Sequence, residues 1–269
     1  MQRYSWKSKQ AWIKIEDDEA VFGKGKKKIL LPAEIITDPS KTIPKKIRKD
    51  VLEEISILVT KGWGDFGIDY IEKNVLGAYL LLVLKDPYNK IIGVAPIKKY
   101  KIRHREIYSF GLTVVDPRYR ELDLMKKMLL KATRSILIKR FLTGKMLTEF
   151  VFISPNVRTL GAIIRFCDFV YPNPYLADEK TKRIDSADEE TWFTIKEFLE
   201  KSGEKYDYLL REGCVMKGFY DEKPHLIYKE YPLHKKQELN DFAQKYIYSK
   251  KGQEVVTRAI VNFRKVLRG

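Results

Sequence analysis

Apolar and polar positions along the 269-residue chain change period several times, and each change marks an element. Residues 1–36 read as short strands and turns, interrupted by GKGKKK at 23–28, which reads as a solvated hairpin tip in preference to a flexible basic arm. A Pro-bounded linker, DPSKTIPKK, precedes Ile47, Val51, Leu52, Ile55 and Leu58, whose spacing of three and four predicts a helix over about 45–60. AYLLLVLKD (78–86) and IIGVAPIKKYKI (91–102) flank the turn DPYNK and predict a β-hairpin. IYSFGLTVV (107–115) predicts a further strand, and Met125, Met128, Leu129, Ala132 and Ile136 stripe a helix over about 122–140. EFVFIS (149–154) is the next strand, and the helix after Ser154-Pro155-Asn156 carries Leu160, Ile163, Ile164 and Cys167 on one face. Residues 177–190 read as a surface loop, about 190–201 as a helix, and 214–220 with 225–231 as a second hairpin. Two terminal helices are expected, the last striped by Val256, Ala259, Ile260, Phe263 and Leu267. Strands alternating with helices after an antiparallel start imply a mixed α/β fold, a mixed sheet flanked by helices.

Composition narrows the function classes. A hydrophobic fraction of 44% supports a packed core and argues against disorder. No apolar run is long enough to span a membrane, and the first residues lack the apolar stretch of a secretory signal. Cys167 and Cys214 fall in no CxxC or Cys/His spacing, and His104, His225 and His234 form no HExxH motif. No metal site is expected, and a reducing, cytoplasmic setting is. A net charge of +16 leaves two readings open: a polyanionic partner, or a Lys-rich soluble surface. KKYKIRHREIY (98–108) interleaves basic and aromatic residues and is the segment that would track a nucleic-acid backbone; its alternative is a basic hairpin tip.

Val114 to Ala132, VVDPRYRELDLMKKMLLKA, hands a strand through an Asp-Pro turn into a helix N-terminus. Free N–H groups and the helix dipole make such a place suitable for a phosphate, yet this one has no glycine. The element order resembles the GNAT acetyltransferase superfamily. The residues that carry the resemblance are the 78–102 hairpin, Val115-x-Pro117-x-Tyr119-Arg120 before a helix, and the strand-Ser-Pro-Asn156-helix unit at 149–169. It covers about 47–172. Its implied domain layout is an N-terminal extension at 1–44, a GNAT-like domain at 45–232 with an insertion at about 175–212, and a C-terminal helical extension at 233–269.

The resemblance implies acetyl-CoA or another acyl-CoA as cosubstrate and an amine acceptor, the acyl group passing directly between them. It implies that Val114 and Val115 pair with the pantetheine arm, and that Arg120, Leu122, Asp123, Leu124, Met125 and Lys126 form the pyrophosphate loop, with Asn156 as a further cofactor contact. Asp123 and Met125 occupy the family's small-residue positions. A carboxylate about 6 Å from a phosphate costs roughly 3 kcal/mol at an effective dielectric near 20, which Arg118, Arg120, Lys126 and Lys127 would offset. The family's usual glutamate position is held by Ser109, leaving Glu106 to act through a water or to form a surface salt bridge with Arg103 or Arg105. The usual tyrosine position is Ile163, with Tyr108 and Tyr171 nearby in sequence. The competing function is a catalytically inactive GNAT-like binding protein with RNA or DNA as ligand.

Overall fold

The computed structural model describes residues 8–18, 26–217, 233–248 and 252–264, with backbone alone at 15–18, 26, 27, 120 and 121. The chain forms two compact units, residues 1–99 with 110–139, and residues 100–109 with 140–269.

In the first unit, β1 (Lys9–Asp18) and β2 (Lys26–Thr37) form an antiparallel hairpin whose register runs from Lys9↔Ile35 to Asp18↔Lys26. Residues 23–25 of the expected hairpin tip lie outside the described residues. β2 pairs with β3 (Leu80–Lys85), and β3 with β4 (Ile91–Ile102), all antiparallel. Every residue of β3 is buried, with β2 and β4 flanking it on either side. α1 (Pro39–Thr42) is a single turn; α2 (Lys45–Trp63) and α3 (Ile68–Val75) follow. The predicted stripe of α2 is its buried face: Val51, Leu52, Ile55, Leu58 and Val59.

The stretch 107–115 is two strands, not the one expected: β5 (Arg105–Phe110) and β6 (Val114–Val115). Between them the Gly111 N–H donates to the Pro96 carbonyl at 2.9 Å, and the chain re-enters register only where Val114 and Val115 pair with Val94 and Gly93. Gly62 of α2 lies under this short strand. A Cβ there would stand 2.5 Å from Val114 Cγ2. The helix expected from residue 122 is preceded by a 3-10 turn (Pro117–Leu122) and begins as α4 (Leu124–Phe141). Its buried face is Leu124, Met128, Ala132, Thr133, Ile136 and Leu137; Met125 and Leu129 are only half-buried.

In the second unit, β5 pairs in parallel with β7 (Leu147–Ser154) at Ile107↔Glu149 and Tyr108↔Phe150. α5 (Val157–Phe166), β8 (Phe169–Tyr171), α6 (Glu189–Ser202), β9 (Tyr208–Leu210), β10 (Val215–Lys217), α7 (Gln237–Tyr246) and β11 (Gln253–Asn262) complete it. β11 pairs antiparallel with β7, β8 and β10, and β10 with β9, so one parallel pair sits among antiparallel ones and the sheet is mixed. The fold class is therefore mixed α/β, as the pattern implied.

β11 replaces the second terminal helix expected from the sequence. Val256, Ala259, Ile260 and Phe263 do recur at helical spacing, but VVTRAIV is buried on both faces, rich in β-branched residues, and fills the gap beside β7. A strand buried on both faces has no period of two to reveal it. Leu267 lies outside the described residues, as do residues 218–232, most of the expected late hairpin. Of that hairpin β10 is present, and its partners are β9 and β11. Among the described residues no helix is long and apolar enough to cross a membrane.

Candidate functional site

In the first unit the joint from β6 to α4 is built on Asp116. Its N–H donates to the Ile92 carbonyl at 2.8 Å, fixing the end of β6 on β4. Its carboxylate caps the 3-10 turn: Oδ1 accepts from the Arg118 N–H (3.1 Å) and Nε (3.0 Å), and Oδ2 from Nη2 (2.9 Å). That guanidinium, bonded to the carboxylate, holds Asp116 below the usual carboxylate range. Arg118 is thus engaged by its own turn, while its side chain stays 61% exposed. Pro117, in the first position of the turn, needs no N–H there.

After Leu122 the backbone turns sharply at Asp123, with φ 53° and ψ 25°. This is the left-handed region that glycine enters freely and that Asp and Asn enter more readily than other residues. The position where the resemblance puts a glycine therefore has a glycine's conformation. The Asp123 carbonyl accepts the Lys127 N–H at 3.1 Å, so α4 begins at once and the N–H groups of Leu124, Met125 and Lys126 precede its first intrahelical bond. Leu124 is buried, Met125 half-buried, and Lys126 and Asp123 are exposed. Among the described residues the Asp123 carboxylate receives no hydrogen bond, so it does not cap its own helix. The Arg120 side chain lies outside the described residues. Val114 and Val115, the expected pantetheine strand, are buried and paired with β4.

In the second unit Asn156 is the N-cap of α5: its Oδ1 accepts from the Arg158 N–H at 2.9 Å, while its own N–H donates to Ser154 Oγ at 3.0 Å. Its side-chain oxygen therefore satisfies a helix end. Glu106 is neither free nor bridged to Arg103 or Arg105. Its Oε2 accepts from Arg140 Nη1 at 2.8 Å and Lys145 Nζ at 3.1 Å. That oxygen is thus already engaged by two cations. Tyr108 is 2% exposed, lying by Phe150 (5.9 Å between ring centroids) with the Arg140 guanidinium 5.6 Å from its ring. Ser109 is buried as well. The Tyr171 hydroxyl lies within hydrogen-bonding distance of the Asp185 (2.8 Å) and Arg211 (3.1 Å) carbonyls and accepts from the Gly213 N–H (3.1 Å); burial raises its pKa further. None of these groups is placed as a free general acid.

Arg105 instead joins a network that the sequence reading missed. Arg258 of β11 donates from Nε to Glu149 Oε1 (2.6 Å), from Nη1 to Thr191 Oγ1 (2.8 Å) and from Nη2 to Glu190 Oε1 (2.7 Å). Arg105 reaches Glu149 Oε2 (3.1 Å), Glu190 Oε1 (2.5 Å) and Thr194 Oγ1 (2.8 Å). The network ties the first turns of α6 to β5, β7 and β11. The available signal was a charge inside each of two apolar runs, EFVFIS and VVTRAIV, since such residues are buried only when paired.

The basic stretch 98–108 divides on folding. Lys99, Lys101, Arg103 and His104 are exposed, but Tyr108 is buried and half-buried Tyr100 meets Phe198 edge-on at 5.3 Å. Its aromatic rings form no stacking surface beside the cations. A cavity of about 180 Å³ lies elsewhere in the second unit, lined by Tyr175, Glu179, Lys182, Asp241 and Phe242 among others, and holds none of the expected site residues. Among the described residues no group of three or more His, Cys, Asp or Glu is placed to hold a metal.

No family model matches the chain, and no curated protein does. Solved structures do. A GNAT family N-acetyltransferase from Escherichia coli, crystallised with CoA, is 16% identical with a TM-score of 0.33; the match covers 45% of this chain and 62% of that one. The chain thus spans less than two thirds of that protein. The ribosomal-protein-S18-alanine N-acetyltransferase of Escherichia coli is 13% identical with a TM-score of 0.36, covering 55% and 85%. An IAA acetyltransferase from Bacillus cereus is 13% identical with a TM-score of 0.38, covering 86% and 99%. All three are distant likenesses with TM-scores of 0.38 or below, and no residue's role is carried across from them.

Proposed function

We propose that the chain is an acyl-CoA-dependent N-acyltransferase that moves an acyl group, acetyl in the simplest case, directly onto an amine in a cytoplasmic setting. The observation that supports this best is the β6–α4 joint. Asp123 adopts the left-handed conformation of a phosphate-loop glycine, and the first N–H groups of α4 follow it without intrahelical acceptors. Helix N–H groups and the helix dipole favour a pyrophosphate there. Lys126 and Lys127 stand in that first turn and Arg120 just before it. Acyl-CoA, when bound, would supply the thioester: the amine nitrogen would bond to its carbonyl carbon, the C–S bond would break with CoA leaving as thiolate, and the amine proton would pass to solvent. Glu106 is ion-paired and Ser109 is no base, so the residues present contribute by holding the reactants together rather than by strong proton abstraction.

A test is binding of acetyl-CoA against S-acetylpantetheine, which has no pyrophosphate. The reading expects at least about tenfold weaker binding of the fragment. Equal affinities would remove the pyrophosphate cradle from the account. A second reading, a GNAT-like scaffold that binds its ligand without transfer, is favoured by the occupied Glu106 and by the exposed Asp123 carboxylate at the joint. It predicts acetyl-CoA binding without acyl transfer to any amine in a panel of small amines, polyamines and peptides.

A further inference from the structure

Glu254 lies in β11 opposite Met216 of β10, two residues from Val256 and so on the same face of the strand. That face belongs to an apolar cluster with Cys214, Met216 and Val256. Glu254 is 3% exposed, and its Oε2 has no hydrogen-bond partner. Among the described residues no cation stands within ion-pair distance of it. Burying an unpaired carboxylate is costly, so this environment keeps the proton on. Burial first, and the charge of Glu204 after α6 second, push the carboxyl up to about 8. The neighbouring groups offer no relief. The Tyr100 hydroxyl at the end of β4 is pushed up to about 12 by burial and by Glu204, and the Cys214 thiol to about 12 mainly by burial. Lys217 lies 4.0 Å from Asp207, and Gln253 donates to Tyr208 of β9 at 2.7 Å.

β10 is the element this carboxyl would disturb. Among the described residues it meets β11 through three residue pairs and β9 through three more, and the Val256 N–H donates to the Cys214 carbonyl at 2.9 Å just beyond the Val215–Val255 pair. An ionised carboxylate at this buried position reaches water only if the pairing around it opens, and such opening can be local without unfolding the unit. From this geometry we infer that the pairing of β10 with β11 at Met216 and Glu254 is a proton-operated latch. The latch is closed while the carboxyl carries its proton and opens locally when that proton passes to solvent. The inference stands independently of the acyltransferase reading. A raised carboxyl leaves the closed state unpenalised below its ordinary value of 4.5, weakens it progressively as pH rises from 4.5 to about 8, and adds nothing further above that.

The test is native-state amide hydrogen exchange on the full chain between pH 6 and 9, corrected for intrinsic rates, for wild type, Glu254→Gln and Glu254→Met. In wild type the protection of the Val215, Met216 and Val256 amides is expected to fall on the order of tenfold per pH unit up to about 8 and then level off. Both variants should hold it constant, while amides in β3 stay protected throughout. Glu254→Met keeps the test intact if the glutamine variant folds poorly. Wild-type protection that does not change with pH, or the same fall in either variant, overturns the latch.

Discussion

Arg258 Nε lies 2.6 Å from Glu149 Oε1, with both side chains more than nine-tenths buried between β11 and β7. Removing one member leaves the other as an uncompensated buried charge, which typically costs about 3–5 kcal/mol, far more than an exposed pair is worth. Arg258→Ala should therefore lower the denaturation midpoint of the second unit sharply and release α6, which Arg258 also holds through Thr191 and Glu190. Urea unfolding followed by tryptophan fluorescence, with Trp192 on α6 as a reporter, measures this. A change below about 1 kcal/mol would mean that the network is ornamental.

Asp123→Gly tests the joint. Glycine relieves the left-handed backbone but loosens the unfolded chain, and these effects oppose each other, so stability should move by less than about 1 kcal/mol. Acetyl-CoA affinity should respond much more. Removing a carboxylate near the pyrophosphate should tighten binding by about fivefold or more at low salt, and by less at high salt because the site is exposed. Affinity unchanged by Asp123→Gly at low salt would place the phosphate elsewhere.

Gly62→Ala tests the support beneath β6. The added Cβ would meet Val114 Cγ2 at 2.5 Å, and a valine has little rotamer freedom with which to yield. Overpacking of this kind costs about 1–3 kcal/mol. The expected result is a lower melting temperature together with weaker acetyl-CoA binding, since β6 leads into the joint.

Asp116 supplies an acid-side prediction. Its pKa is lowered, chiefly by the Arg118 side-chain hydrogen bonds, so its contribution is present above the ordinary value of 3.8 and is lost as pH falls through its lower folded value. In Arg118→Ala the Asp116 carboxyl should titrate closer to 3.8, and acid loosening of the turn should begin at higher pH. Carboxyl-carbon NMR titration of both proteins reads this directly.

Much of the fold was legible because most elements have one buried face. α2 showed its stripe at Val51, Leu52, Ile55 and Leu58, while β3 and β4, buried on both faces over most of their length, were marked instead as short apolar runs on either side of the turn residues DPYNK. β11 was not legible, because burial on both faces erases the period of two and leaves accidental helical spacing. The split between β5 and β6 was hidden because an apolar run does not say where register breaks; the Gly111–Pro96 hydrogen bond decides that. At the site, Asp116-Pro117 was readable as a local turn, whereas the capping of α5 by Asn156, expected only as a cofactor contact, was not. The partners of Glu106 were not, since Arg140 and Lys145 lie 34 and 39 residues away in sequence. Neither was the occupation of Arg118, which takes a geometry, not a motif, to see.

The most direct measurement is calorimetric titration of acetyl-CoA into wild type, Arg120→Ala and Lys126→Ala at moderate salt. The account predicts micromolar binding that both substitutions weaken by about tenfold, because each removes a cation from the first turn of α4 or the residues before it. No binding up to millimolar acetyl-CoA, or binding that neither substitution alters, would contradict it.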